Sequence, residues 1–87
     1  MLDQDKLREV LRTLPVEAPE VDVIGAPPTL VATVVSGTFG PMDEADRQEM
    51  VWKHLRTHLA ESGDLSLIEF IFTNAPGESA ETAAAAN

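Results

Sequence analysis

The apolar residues of the first segment recur at helical spacing. They fall on one stripe when the segment is drawn as a helix, and they are Leu7, Val10, Leu11 and Leu14. Asp3 stands where an N-cap is expected, and Pro15 ends the segment because the residue before a proline disfavours the helical conformation. The pattern predicts an amphipathic helix with its apolar face against a core.

Two strands are predicted after this helix. Val21 and Val23 flank Asp22, an alternation typical of a short strand with one solvent-facing side. Residues 29–36 form a run rich in β-branched residues, apolar at successive positions, which is the strongest strand signal in the chain.

A third strand is predicted over residues 65–73. Alternation assigns Ile68, Phe70 and Phe72 to one face, and Leu67, Glu69 and Ile71 to the other. Residues 74–77, which contain a proline and a glycine, end this strand.

Between the second and third strands the pattern predicts a glycine-rich loop and a helix. The loop, residues 37–41, carries Phe39, which we expect to pack under the helix. Asp43 is the expected N-cap and Gly63 takes the usual C′ position. The apolar stripe consists of Val51, Trp52, Leu55 and Leu59. The helix is expected to split into a short turn near residues 42–45 and a longer piece.

The predicted fold is therefore α+β, a two-layer sandwich in the order α-β-β-α-α-β. A three-stranded mixed sheet carries helices on one face. Residues 1–76 are expected to form one domain, and residues 77–87, which contain no large apolar side chain, a flexible tail.

Charge and cysteine content narrow the possible functions. Six Lys and Arg against fifteen Asp and Glu give a net charge of −9, which repels phosphate backbones and favours either a basic partner or solubility alone. The absence of cysteine excludes disulfides, thiolate metal sites and a cysteine nucleophile. No apolar stretch is long enough for a membrane span and no signal peptide is seen, so a cytoplasmic protein is expected.

The spacing Val34-Val35-Ser36-x-x-Phe39, followed by Arg47-Gln48-x-x-Val51, resembles the BolA-like family. Further matching positions are Val21-Asp22-Val23, Leu30, Leu55 and the segment 65–70. The resemblance covers residues 1–76. It implies a fold similar to class II KH domains, pairing with a monothiol glutaredoxin, and a role in iron–sulfur cluster handling or regulation.

In the family, a histidine at the start of the last strand and a His or Cys in the loop between the first two strands supply cluster ligands. The first position corresponds to Ser66, and the loop offers only residues 26–29, Ala-Pro-Pro-Thr. Neither position provides the thiolate or imidazole that a cluster iron prefers. The resemblance implies a [2Fe-2S] cluster shared with a glutaredoxin as the cofactor, while neither ligand position of this chain carries a residue type that cluster iron prefers.

The resemblance also implies that the central helix and the last strand face the glutaredoxin. Trp and Arg are enriched at binding hot spots. The predicted partner-binding residues are Phe39, Arg47, Trp52, Arg56 and Ser66.

His54 and His58 are the candidate metal ligands. Their i, i+4 spacing can place two imidazoles on one metal ion. A helical wheel puts His58 at the edge of the apolar stripe and His54 further toward solvent. The alternative is a boundary histidine beside a surface histidine.

Two other functions stay open as alternatives. Residues 37–40 match the GxxG loop of KH domains, which predicts a nucleic-acid-binding or transcription-regulatory protein, but Asp43, Glu44 and Asp46 oppose it electrostatically. A self-associating structural domain, such as a homodimer, could use a free sheet edge. No enzyme is expected, because Ser36 and Ser66 lie outside a nucleophile elbow.

Overall fold

The computed structural model describes residues 2–59 and 64–77. The helices and strands are α1 (Gln4–Arg12), β1 (Glu20–Ile24), β2 (Leu30–Val35), α2 (Glu44–Leu59) and β3 (Ile68–Asn74). Short 3-10 helices at Gly37–Phe39 and Asp64–Leu67 precede α2 and β3. The predicted tail after Gly77 and the predicted helix end at Gly63 lie outside the described residues.

The sheet is mixed, with β2 in the centre. β1 pairs with it antiparallel and β3 pairs with it parallel. Both helices cover the same face, where the inward side chains of β2, Leu30, Ala32 and Val34, are fully buried. The predicted two-layer α+β sandwich with a three-stranded mixed sheet is therefore confirmed.

The core lies between the sheet and the two helices. α1 contributes the fully buried Leu7 and Leu11, and α2 contributes Val51 and Leu55. Burial of a side chain of this size contributes about 1.5–3 kcal/mol, so these apolar stripes, rather than helix propensity, hold the layers together.

Both helices begin at an aspartate that caps them, as the sequence predicts. The Asp3 carboxylate accepts from the Lys6 amide at 2.8 Å, and the Asp43 carboxylate accepts from the Asp46 amide at 2.8 Å. Each bond satisfies a backbone donor that has no partner within the helix.

The predicted split of the central helix near residues 42–45 is wrong. α2 is continuous from Glu44 to Leu59. The additional helical turn lies earlier, at Gly37–Phe39, where the Ser36 hydroxyl caps it by accepting from the Thr38 amide at 3.3 Å. The serine cap shifts the turn toward the end of β2.

The predicted faces of the third strand are also wrong. Residues 65–67 belong to the 3-10 helix, and the pairing with β2 shifts by one residue, because Leu30 lies opposite Ile68 but Val31 lies opposite Phe70. Glu69 is thus the extra residue of a β-bulge, which reverses the alternation beyond it. Ile71 and Thr73 face the core, whereas Phe70 and Phe72 are exposed.

The turn between β1 and β2 depends on Gly25. Its φ of +83° belongs to the left-handed region, and a Cβ at this position would lie 2.6 Å from the Thr29 carbonyl oxygen. The Gly25 carbonyl accepts from the Gln4 side chain, which ties the turn to the start of α1.

Within the part of the chain that the structure describes, no helix has the length and apolarity needed to cross a membrane.

Candidate functional site

Two neighbouring polar residues of α2 bind the outer edge of β3. Arg47 donates from Nε to the Met42 carbonyl at 3.0 Å and from Nη1 to the Thr73 carbonyl at 3.1 Å. Gln48 donates to the Ile71 carbonyl at 2.8 Å. These are the same two residues that carry the Arg-Gln part of the family resemblance.

The two β3 carbonyls that accept these bonds point away from β2. The Ser36 amide of the β2 end donates to the Asn74 carbonyl at 2.9 Å, so the Asn74 carbonyl points toward β2. Successive carbonyls of a strand alternate, and those of Thr73 and Ile71 therefore lie on the free edge. Arg47 and Gln48 satisfy this edge, which would otherwise be open to pairing with another strand.

Phe39 and Arg47 are not available as partner contacts, and this corrects their assignment as partner-binding residues. Phe39 is 0% exposed and Arg47 is 8% exposed. The 3-10 turn directs the Phe39 ring into the core, and the Arg47 guanidinium lies 5.9 Å from the centre of that ring. The predicted packing of Phe39 under the helix is confirmed, and the role of both residues is to support α2.

The three other predicted partner-binding residues reach the surface. Trp52 is half-buried, and its ring nitrogen donates to the Gln48 side chain at 3.1 Å, which fixes the indole on the helix. Arg56 is exposed one turn further along. Ser66 is exposed in the 3-10 helix Asp64–Leu67, which contacts α2. We call Trp52, Arg56 and Ser66 the α2 surface.

The two positions where the family carries cluster ligands lie at the same end of the sheet. β2 and β3 are parallel neighbours, and Leu30 lies opposite Ile68. The loop 26–29 directly precedes Leu30, and Ser66 lies in the 3-10 helix two residues before Ile68. The topology therefore places both segments at one end of the sheet, although 36 residues lie between Thr29 and Ser66 in the sequence.

The side chains at these positions do not fit an iron–sulfur cluster. They offer hydroxyl oxygens from Ser66 and Thr29, and no sulfur or imidazole nitrogen. The Thr29 hydroxyl is also used within the turn, where it donates to the Ala26 carbonyl at 3.1 Å.

His54 and His58 are neighbours, but their predicted exposure is reversed. Their ring centres are 4.4 Å apart. His54 is half-buried and its Nε2 lies 3.0 Å from the Val10 carbonyl and 2.9 Å from the Thr13 hydroxyl, whereas His58 is exposed. The end of α1 packs beside His54, and this contact, which a helical wheel omits, buries it.

The contact with α1 limits His54 as a metal ligand. Because the Val10 carbonyl can only accept, the Nε2 of His54 carries the hydrogen, which leaves Nδ1 as the one nitrogen able to coordinate. No group of three or more His, Cys, Asp or Glu residues suited to a metal ion occurs within residues 2–59 and 64–77.

Replacing His54 by alanine is expected to lower the free energy of unfolding by about 1–2 kcal/mol, because the variant loses the hydrogen bonds that join α2 to the end of α1. Urea denaturation followed by circular dichroism measures the change. His58→Ala is the matched control, with an expected change within about 0.5 kcal/mol at its exposed position. Equal effects of the two variants would contradict the assigned contact.

The GxxG loop is not built as a backbone clamp. Three of its amides are used inside the protein: Thr38 donates to the Ser36 hydroxyl, Phe39 to the Ser36 carbonyl at 3.1 Å and Gly40 to the Gly37 carbonyl at 3.1 Å. Ser36 is buried, and its hydroxyl donates to the Glu17 carbonyl at 2.6 Å. The loop geometry favours a structural turn over phosphate binding.

One feature was missed by the sequence prediction. Phe70 and Phe72 form an exposed pair on the side of the sheet without helices, with ring centres 4.7 Å apart. The strand pattern alone could not reveal it, because the bulge at Glu69 decides which residues face outward.

Comparisons with protein-family models, with curated proteins and with solved structures gave no match.

Proposed function

We propose that this chain is a BolA-like, non-enzymatic interaction module that pairs with a monothiol glutaredoxin. The observation that supports it best is that the loop 26–29 and the segment containing Ser66 lie at the same end of the sheet, since the family resemblance assigns its two ligand positions to these segments. The parallel pairing of β2 with β3 creates this arrangement.

The α2 surface is the proposed partner contact. Trp52 offers a fixed, partly exposed indole, and Arg56 offers a cation one turn away. Aromatic rings and guanidinium groups at such positions supply much of the energy of protein–protein binding. Arg47 and Gln48 contribute indirectly, since they hold α2 against β3.

In this proposal the chain contributes shape and charge, and the partner contributes the cluster ligands. The hydroxyls of Ser66 and Thr29 do not fit cluster iron. The module would therefore regulate or position a glutaredoxin rather than complete its cluster.

Mixing the chain with a monothiol glutaredoxin under anaerobic conditions tests the proposal. We expect a complex by size-exclusion chromatography, with no cluster absorbance that depends on Ser66. Ser66→His is expected to add a cluster absorbance band to the complex, since it places an imidazole at the position that the family resemblance assigns to a ligand histidine. The absence of any complex would contradict the proposal.

Replacing Arg56 by glutamate is expected to weaken the complex at least about tenfold, because the variant reverses a charge at the contact. Arg12→Glu on α1 is the matched control, with the same change of charge at another exposed position and an expected effect below about twofold. Calorimetric titration measures both. Equal weakening by the two variants would show that net charge, rather than the α2 surface, determines binding.

A further inference from the structure

The side of the sheet opposite the helices carries a continuous apolar surface. Among the described residues, the large hydrophobic side chains that remain exposed are Ile24, Phe70 and Phe72, with 58%, 43% and 45% of their surface exposed. All three lie on this side. We call Ile24, Val31, Thr33, Phe70 and Phe72 the outer sheet face.

The strand register makes these residues neighbours. Ile24 lies opposite Val31, and Val31 lies opposite Phe70, so one apolar row crosses all three strands. Phe72 lies opposite Thr33 in the next row, and its ring packs edge-on against Phe70 at 4.7 Å. Contiguous exposed apolar surface of this kind marks an interaction site more often than scattered single residues do.

The charges around the outer sheet face are acidic. Glu20 and Asp22 alternate with the core-facing residues of β1 and are exposed on this side, and Glu69 is exposed at the bulge beside Phe70. All six Lys and Arg of the chain lie in α1 and α2, in the other layer. The outer sheet face therefore combines an apolar centre with carboxylates and no cation.

We propose that the outer sheet face docks a basic amphipathic helix of a partner protein, with apolar side chains on Ile24, Val31, Phe70 and Phe72 and Lys or Arg side chains on the flanking carboxylates. Charge complementarity selects this occupant. The site is separate from the α2 surface, which belongs to the other layer.

The alternatives are disfavoured by the same charges. A nucleic acid could stack bases on the two phenylalanines, but its phosphates would meet carboxylates without a compensating cation. A second copy bound face to face would bring the acidic groups of both copies together. The segment 78–87 carries Glu78 and Glu81 and no Lys or Arg, so it lacks complementary charge.

A pair of synthetic helical peptides of about 18 residues tests the proposal. The first has leucines on one face and flanking lysines, and the second has glutamates in place of the lysines. Calorimetric titration of the full chain is expected to show binding of the lysine peptide alone. The double variant Phe70→Thr, Phe72→Thr should weaken this binding at least about tenfold, because both replaced rings belong to the contact.

Two controls separate this surface from the α2 surface. Trp52→Ala is expected to leave binding of the lysine peptide unchanged, and the Phe70 and Phe72 variant is expected to leave glutaredoxin binding unchanged. Circular dichroism verifies that each variant is folded. If the chain does not bind a glutaredoxin, the peptide titration therefore still tests the outer sheet face on its own.

Charge variants test the acidic contribution at equal net charge. The double variant Asp22→Asn, Glu69→Gln is expected to weaken binding of the lysine peptide about fivefold at low salt. The double variant Glu9→Gln, Glu49→Gln on the helices should change this binding by less than about twofold. Equal effects of the two pairs would overturn the proposal, since binding would then follow net charge alone.

Four further results would overturn it. They are failure of the lysine peptide to bind, equal binding of the glutamate peptide, a dimer in sedimentation that the Phe70 and Phe72 variant abolishes, and binding of a single-stranded RNA oligonucleotide that this variant abolishes. The third would assign the surface to a second copy of the chain, and the fourth to nucleic acid.

Discussion

Replacing Phe39 by alanine is expected to lower the free energy of unfolding by about 3–5 kcal/mol. The ring is 0% exposed and is among the largest fully buried side chains of the described residues. Its removal leaves a cavity beneath α2 and takes away the surface on which the Arg47 guanidinium lies. Because small domains have total stabilities of about 5–15 kcal/mol, the variant should be close to unfolding at 37 °C. Urea denaturation at 25 °C measures the loss.

Phe70→Ala is the matched control, because it deletes the same ring from an exposed position. We expect its free energy of unfolding to fall by about 1 kcal/mol, because the variant loses the contact with Phe72 and because alanine has a lower β-propensity than phenylalanine. Equal losses for the two variants would contradict the placement of Phe39 in the core. Binding to a glutaredoxin, calculated for the folded fraction of Phe39→Ala, should change less than that of Arg56→Glu.

The order of the elements follows from the sequence because local signals agree there. The stripe from Leu7 to Leu14 has a helical period, Asp3 caps it, and residues 29–36 have the β-branched composition of a buried strand. The structure contains α1 and β2 in these positions. The formation of α1 and β2 depends mainly on residues that are close together in the sequence.

The faces of β3 could not be predicted, because they depend on pairing with another strand. Alternation from Ile68 to Phe72 is regular in the sequence, but the bulge at Glu69 appears only when β3 is aligned with β2. Regular alternation would place Phe70 and Phe72 on the same side as Ile68, whereas the bulge places them on the outer sheet face.

At the candidate site, too, the sequence indicates the residue types, but their surroundings depend on contacts with other elements. Arginine is a residue type that is common at binding hot spots. Arg47 is buried instead, because it donates to the Met42 carbonyl and to the Thr73 carbonyl, which is distant in sequence. The burial of His54 likewise depends on its contact with the end of α1, and a helical wheel of α2 alone cannot show this contact. Residue types identified the chemistry, whereas tertiary packing determined which side chains are accessible.

Replacing Arg47 by methionine is expected to lower the free energy of unfolding by about 3 kcal/mol, because the variant removes the charged donor from the Met42 and Thr73 carbonyls. In a domain of this size the melting temperature should fall by about 12–24 °C. Calorimetric melting measures the shift. Arg47→Lys should restore only part of the stability, since one ammonium group does not reproduce the fork that reaches both the Met42 and the Thr73 carbonyls.

Arg56→Met controls for loss of a guanidinium from α2, and we expect a change within about 0.5 kcal/mol because Arg56 is exposed. The two variants should also differ in association. Arg47 covers the Thr73 carbonyl on the free edge of β3, so Arg47→Met opens that edge and should cause self-association that increases with concentration in sedimentation, whereas Arg56→Met should not. If Arg47→Met were destabilised but monomeric at every concentration, Gln48 alone would protect the edge through its bond to the Ile71 carbonyl.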